Sequence, residues 1–238
     1  SFNDLVNVPP GFDSEGVVTF TISAPSATYE TMDEAVQYHR ELVAEVRAIP
    51  GVQEVGLVSD LMFTTENRSQ SFRVEGIPFD PTNPTGAEYH QILPEYFSVL
   101  DIPLASGAMP DGWESTSEIS ILVNEELAGN LWADRDPVGA SMFLGRSDTI
   151  PMRVAGVVGN ILDNGYDADP DPVFYMPFGA MPNRTMAYVV RVSGDASDVM
   201  TRLRQTVTRI DPDIPTADLM MLDGLLSESV ARPKAASL

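Results

Sequence analysis

The chain has 238 residues, 43% of them hydrophobic, enough to bury one large core or two smaller ones. Its 35 acidic and 14 basic residues leave a net charge of −21, a surface that repels phosphate backbones and anionic membranes and so excludes nucleic acid as a partner. No cysteine is present, which removes disulfides, thiolate nucleophiles and Cys-based zinc sites.

A single lysine, Lys234, stands among the basic residues, and an acid-rich, lysine-poor surface suits a high-salt solvent. No run of about 18 apolar residues is present to span a bilayer. The chain opens at Ser1 without Met, has no basic-then-apolar leader, and closes on Ala235-Ala236-Ser237-Leu238. These features point to a non-enzymatic module working outside the cytoplasm and cut from a larger protein.

In chain order, Val17 to Ser23 alternates and is β-branched, which predicts a strand. Thr31-Met32-Asp33-Glu34 is a capping-box pattern, followed by Ala35, Tyr38, Leu42, Val46 and Ile49 at helical spacing. Pro50-Gly51 stops that helix, and Val52 to Val58 is the next strand. Gln70 to Gly76 and Glu88 to Leu93 are further strands, and Pro94 to Leu100 is a short helix opening at proline. Ile119 to Val123 reads as a buried strand, and Asn124 caps a helix running through Trp132. Pro151 to Gly159, Val173 to Met176 and Met186 to Val192 continue the strands. Asp195 or Ser197 caps a helix whose apolar face is Val199, Met200, Leu203, Val207 and Ile210; Asp211-Pro212 ends it. Thr216 to Leu222 is the last strand.

A β-α-β unit near each end therefore brackets the middle. Proline and glycine gather around residues 76–86 and 165–184, which suit hinges. The expected fold class is α+β and two-lobed. Residues 1–80 and 184–238 form one discontinuous lobe, and residues 81–183 form an inserted mixed α/β lobe.

Little in the chain carries chemistry. The two histidines, His39 and His90, lack the neighbours of an HExxH or HxH pattern and read as ordinary surface or boundary residues. No GxSxG elbow, Walker A loop or GxGxxG fingerprint occurs. Gly156-Val157-Val158-Gly159 lacks the Lys and Ser/Thr of a phosphate cradle and suits a strand packed closely on a neighbour. The acidic stretch from Asp163 to Asp171 has alternating carboxylates but no EF-hand glycine and no closing glutamate, so it reads as a solvated turn. Asn67-Arg68-Ser69 and Asn183-Arg184-Thr185 match a glycosylation sequon. Tyr96, Phe97 and Trp132 fall at core spacing. Carboxylate pairs abound, but none is singled out as an acid–base couple. No catalytic, cofactor-binding or metal-binding residue is expected, and no cofactor.

Several phrases, in order, resemble the MacB-like periplasmic core domain of ABC-transporter permeases, especially large permeases of the acidobacterial duplicated type. Pro10-Gly11-Phe12-Asp13 followed by Val17-Val18-Thr19-Phe20 is similar to the family's opening into its first strand. Tyr29, then Ile49-Pro50-Gly51-Val52, resembles its helix-to-PGV turn, and Phe72-Arg73-Val74-Glu75-Gly76 a later strand. Pro94-Glu95-Tyr96-Phe97 with Leu100-Asp101-Ile102-Pro103-Leu104 and Ser106-Gly107 is similar to its YF…LGIPLLxGR phrase. Val123-Asn124-Glu125, Leu131-Trp132 and Asp136-Pro137-Val138-Gly139 resemble VNE…W…DPIG. Val154 to Asn160 resembles VVGVVGD; Ala108 and Asn160 depart from the family's arginine and aspartate.

The resemblance implies a porter-like lobe of β-α-β units with an inserted lobe, on the periplasmic side of the bacterial inner membrane. It implies a non-catalytic domain that transmits ATP-driven motion. Its partners would be a second permease copy or half, an ABC ATPase reached through the transmembrane part, and a periplasmic adaptor. The isolated domain is expected to be monomeric. The competing expectations are a free-standing two-lobed solute-binding module and a hydrolase built on an unrecognised carboxylate pair.

Overall fold

The computed structural model describes residues 10–62, 68–78, 80, 82, 85–113, 117–144, 150–162 and 169–231. They form a mixed α+β fold with this element order: β1 (Val17–Ser23), α1 (Met32–Arg47), β2 (Val52–Val58), β3 (Ser69–Val74), β4 (Gly86–Ile92), α2 (Glu95–Val99), β5 (Leu104–Gly107), β6 (Ile119–Asn124), α3 (Glu125–Trp132), β7 (Ser141–Leu144), β8 (Pro151–Val158), β9 (Val173–Pro177), β10 (Thr185–Val192), α4 (Ala196–Ile210), β11 (Ala217–Met221) and α5 (Leu222–Ala231).

The strands join in the order β11-β1-β10-β2-β4-β3-β7-β8-β6-β9, with β5 added beside β8. The first four are antiparallel. They interleave β1-α1-β2 with β10-α4-β11 as a split β-α-β pair. The other six close on themselves, because β9 returns to pair in parallel with β4 from Glu88↔Val173 to Ile92↔Pro177. The result is a six-stranded barrel beside a four-stranded sheet, joined where Val58 of β2 pairs with Ile92 of β4.

Strand alternation sorts the apolar side chains into three cores. On β10, Met186, Tyr188, Val190 and Val192 face α1 and α4, with Phe20, Leu42, Leu57 and Leu203. Ala187 and Val189 face the other way, into a middle core shared with Tyr96, Phe97, Leu122, Val158, Val173 and Tyr175. Phe174 and Met176, alternating with Val173 and Tyr175 on β9, enter the barrel core with Phe72, Ile121, Met142 and Val154. Gly56 is what lets α2 lie on β2, since a Cβ there would come within 2.5 Å of the Tyr96 backbone.

Local signals set the helices. Thr31 and Glu34 complete the capping box of α1: Glu34 N donates to Thr31 Oγ1 at 3.2 Å, and Thr31 N to Glu34 Oε2 at 2.9 Å. Asp195, not Ser197, caps α4. Asn124 caps α3, accepting from Leu127 N at 3.0 Å, while its amide donates to the Asp171 carbonyl at 2.8 Å. Pro94 occupies the cap position of α2 and Glu95 opens the helix. Strands β5 and β7 and helix α5 lie outside the sequence expectations.

Both histidines are buried, which corrects the surface or boundary expectation. His39 is wholly inaccessible and lies against Tyr38, Phe178 and Tyr188. Its Nε2–H donates to the Arg184 carbonyl at 3.0 Å, and its Nδ1 accepts from the Tyr188 hydroxyl at 2.8 Å. The neutral ring makes both bonds as its Nε2–H tautomer. Desolvation by burial lowers its pKa to about 4. The folded chain thus binds fewer protons than the unfolded one between about pH 6.5 and 4, so stability falls on acidification through that window. We expect His39 to account for about 3 kcal/mol of that loss. Urea titrations at pH 6.5 and 4 should show the difference shrinking by most of this amount in His39→Gln; an unchanged difference would refute the assignment.

Candidate functional site

The segment before β1 threads between all three parts of the molecule. At Gly11, φ is +84° and a Cβ would stand 2.0 Å from the Asn160 carbonyl oxygen, so only glycine fits against the barrel. Leu162 N donates to the Pro10 carbonyl at 3.0 Å, and Asp13 N to the Leu100 carbonyl, past the end of α2, at 2.7 Å. Val192 N of β10 donates to the Gly16 carbonyl at 2.8 Å. Barrel, short helix and sheet are thus stitched by seven residues of chain.

One side chain fastens the same segment from inside. Arg191 of β10 is 22% exposed at its side chain. Its Nε donates to the Val99 carbonyl at 2.8 Å, and its Nη1 to the Glu15 carbonyl at 2.9 Å. Nη1 also reaches Asp13 Oδ2, and Nη2 the Asp13 carbonyl, each at 3.3 Å. A planar fork of five donors suits this arrangement of acceptors; a lysine ammonium cannot span it.

The last described elements lie beside the first. β1 pairs with β11 from Val18↔Met221, and α5 follows at once. The Ser14 hydroxyl donates to the Asp223 carboxylate at the start of α5. Leu222 and Leu226 of α5 are buried in the middle core with Val17. The last strand and helix therefore share a base with the first strand, and Arg191 ties the segment before β1 to α2.

The remaining sequence candidates fall elsewhere. Tyr96, Phe97 and Trp132 are buried core residues, as expected. Gly156 lies where β5 crosses β8 and a Cβ would come 2.8 Å from the Ser106 carbonyl oxygen, the close strand packing expected of that glycine. Of the acidic stretch 163–171, residues 163–168 lie outside the described residues, and so does Asn67. Among the described residues no group of three or more His, Asp or Glu side chains is placed to hold a metal. Asn183 Oδ1 accepts from Thr185 N at the start of β10. Among the described residues no helix is long and apolar enough to cross a membrane. Arg191 was missed by sequence reasoning: it is one charged residue in a β-branched run, and its partners are backbone carbonyls that no motif encodes.

Hydrogen bonds made by a charged group are worth about 1.5–3 kcal/mol. We expect Arg191→Ala and Arg191→Lys each to cost about 2–3 kcal/mol. Hydrogen exchange at the Val17 amide should accelerate in both variants. A lysine variant with wild-type stability and exchange would show that the fork geometry is unimportant.

A model of the MacB-like periplasmic core domain family matches residues 3–210. No curated protein matches the sequence. Among solved structures, the chain is similar to the periplasmic region of MacB from Actinobacillus actinomycetemcomitans. The TM-score is 0.60 at 15% identity, covering 97% of this chain and 99% of that one. It is also similar to the extracellular domain of the noncanonic ABC-type transporter YknZ from Gram-positive bacteria, with a TM-score of 0.55 at 15% identity, covering 85% and 99%. At such identities the structural likeness speaks for the fold, and the family match over most of the chain speaks for descent: the chain belongs to the MacB-like periplasmic core domain family of ABC-transporter permeases.

Proposed function

We propose that the domain stands on the periplasmic face of the bacterial inner membrane and passes ATP-driven motion of transmembrane helices to substrate export or to an envelope partner. The shared base of β1, β11 and α5 carries this proposal. A body held at the membrane by two neighbouring connections takes up helix motion as a rotation of the whole, provided the body is stiff. The middle core supports stiffness, because residues of the sheet, the short helix and the barrel bury one another there. Such a large apolar junction favours transmission over a cleft that opens and closes on a solute.

The sequence expectation puts residues 1–80 and 184–238 in the porter-like lobe and residues 81–183 in the inserted one. Phe72 and Val74 of β3 pack in the barrel core, so we draw the first boundary ahead of Ser69. The partners are a second permease copy or half, an ABC ATPase joined through the transmembrane part, and a periplasmic adaptor. The domain itself does no chemistry.

The parent permease, reconstituted with its ATPase in proteoliposomes, tests the coupling. With Arg191→Lys loosening the base, export should fall about tenfold, a coupling loss near 1.4 kcal/mol, while ATP hydrolysis stays within about twofold. Undiminished export, or a parent gene with no apolar helix on either side of this domain, would sink the proposal.

A further inference from the structure

Strand β4 changes neighbour part-way along one edge. It pairs with β3 from Gly86 to Glu88 and with β2 at Ile92, so the handover falls on Tyr89, His90 and Gln91. The handover is buried and polar. Ser59 N donates to the Gln91 carbonyl at 2.9 Å, Gln91 N to Ser59 Oγ at 3.2 Å, and Ser59 Oγ to Asp60 Oδ2 at 2.8 Å.

His90 is 8% exposed, and its ring stacks on Tyr175 of β9 with centroids 5.9 Å apart. Its Nδ1 lies 3.9 Å from Asp60 Oδ2, just past the end of β2. Arg68, just ahead of β3, reaches Asp60 Oδ1 at 3.4 Å. We propose that His90 and Asp60 form a proton-operated latch that tightens the joint between sheet and barrel when His90 takes up a proton.

The neighbouring charges favour this. Asp60 and Arg68 face His90 from the ends of β2 and β3, Tyr175 faces it from β9, and Glu88 shares its side of β4. Among the described residues, the Asp60 carboxylate beside the ring favours an imidazolium. Burial opposes the charge, and the nearby carboxylate offsets it. Burial pushes the Asp60 carboxyl up, but the nearby His90 ring, the Ser59 hydroxyl and the Arg68 guanidinium outweigh it and hold the carboxyl below its usual value. Asp60 is therefore ionised throughout the range in which a histidine titrates. A neutral ring at 3.9 Å gives no ion pair; the protonated ring does. A domain outside the cytoplasm meets the pH of the medium, where such a latch has something to sense.

The chain contains two histidines, and His39 stays neutral down to about pH 4, so ring signals titrating above that belong to His90. NMR titration of the full chain should place the His90 midpoint about one unit or more higher than in Asp60→Asn. The Ser59 and Leu93 amides bond across the joint. Corrected for intrinsic rates, and in a His39→Gln background that removes the other pH-dependent contribution to stability, they should exchange about threefold or more slowly at pH 5.5 than at 7.5, and equally once His90→Gln is added. Equal midpoints in wild type and Asp60→Asn, joint protection indifferent to pH in the His39→Gln background, or a pH response that survives there when His90→Gln is added would each overturn the latch.

Discussion

Strand β10 has no side left for water. Four of its residues, Met186, Tyr188, Val190 and Val192, lie in the core under α1 and α4, and Ala187 and Val189 lie in the core against the barrel. It is also paired along both edges, with β1 and with β2. The two-sided burial of one strand decides where everything else goes. It forces helices onto one face of the sheet and the barrel onto the other, and it makes the polar end of Arg191 seek backbone carbonyls. The same arginine then anchors the incoming segment and the end of α2. Packing and the base of the domain are thus consequences of one doubly covered strand.

The role proposed for the domain asks for shape kept under load. The described contacts supply shape in two ways: an apolar junction shared by three substructures, and a base where donors and acceptors are matched residue by residue. Neither depends on a ligand. The ion pairs of the surface, such as Arg47 with Glu95 and Arg209 with Glu45, join elements distant in sequence but sit half in water and contribute little each.

Much of this was legible in the sequence wherever a local rule was strong. Val17–Ser23 alternates, Val52–Val58 follows the Pro50-Gly51 stop, and both are strands at those bounds. The Thr31–Glu34 box and the Asn124 cap are built from side chains within three residues of their targets, so short-range pattern finds them. Strand β5 (Leu-Ala-Ser-Gly) has no apolar alternation and is exposed throughout; it exists because two glycine-permitted close approaches fit it against β8. The helix α5 carries Gly224 and a weak apolar stripe, and its burial comes from the shared core. Barrel closure through β4 and β9 and the fork of Arg191 are long-range pairings, invisible to spacing rules. His39 looked ordinary because a lone histidine on a helix carries no sign of the tyrosine that waits for it on β10.

The placing of β10 between β1 and β2 also sets a schedule. β1 and β2 come early from the ribosome, yet neither touches the other; their common neighbour arrives after the whole barrel segment has been made. Until then each is an open edge, liable to pair with the wrong chain. Barrel strands β3 to β9 are contiguous in sequence and close among themselves, so they are free to form first. The four-stranded sheet must then be completed by a late zipper of high contact order, which makes it the slow step of folding and the stage most exposed to aggregation.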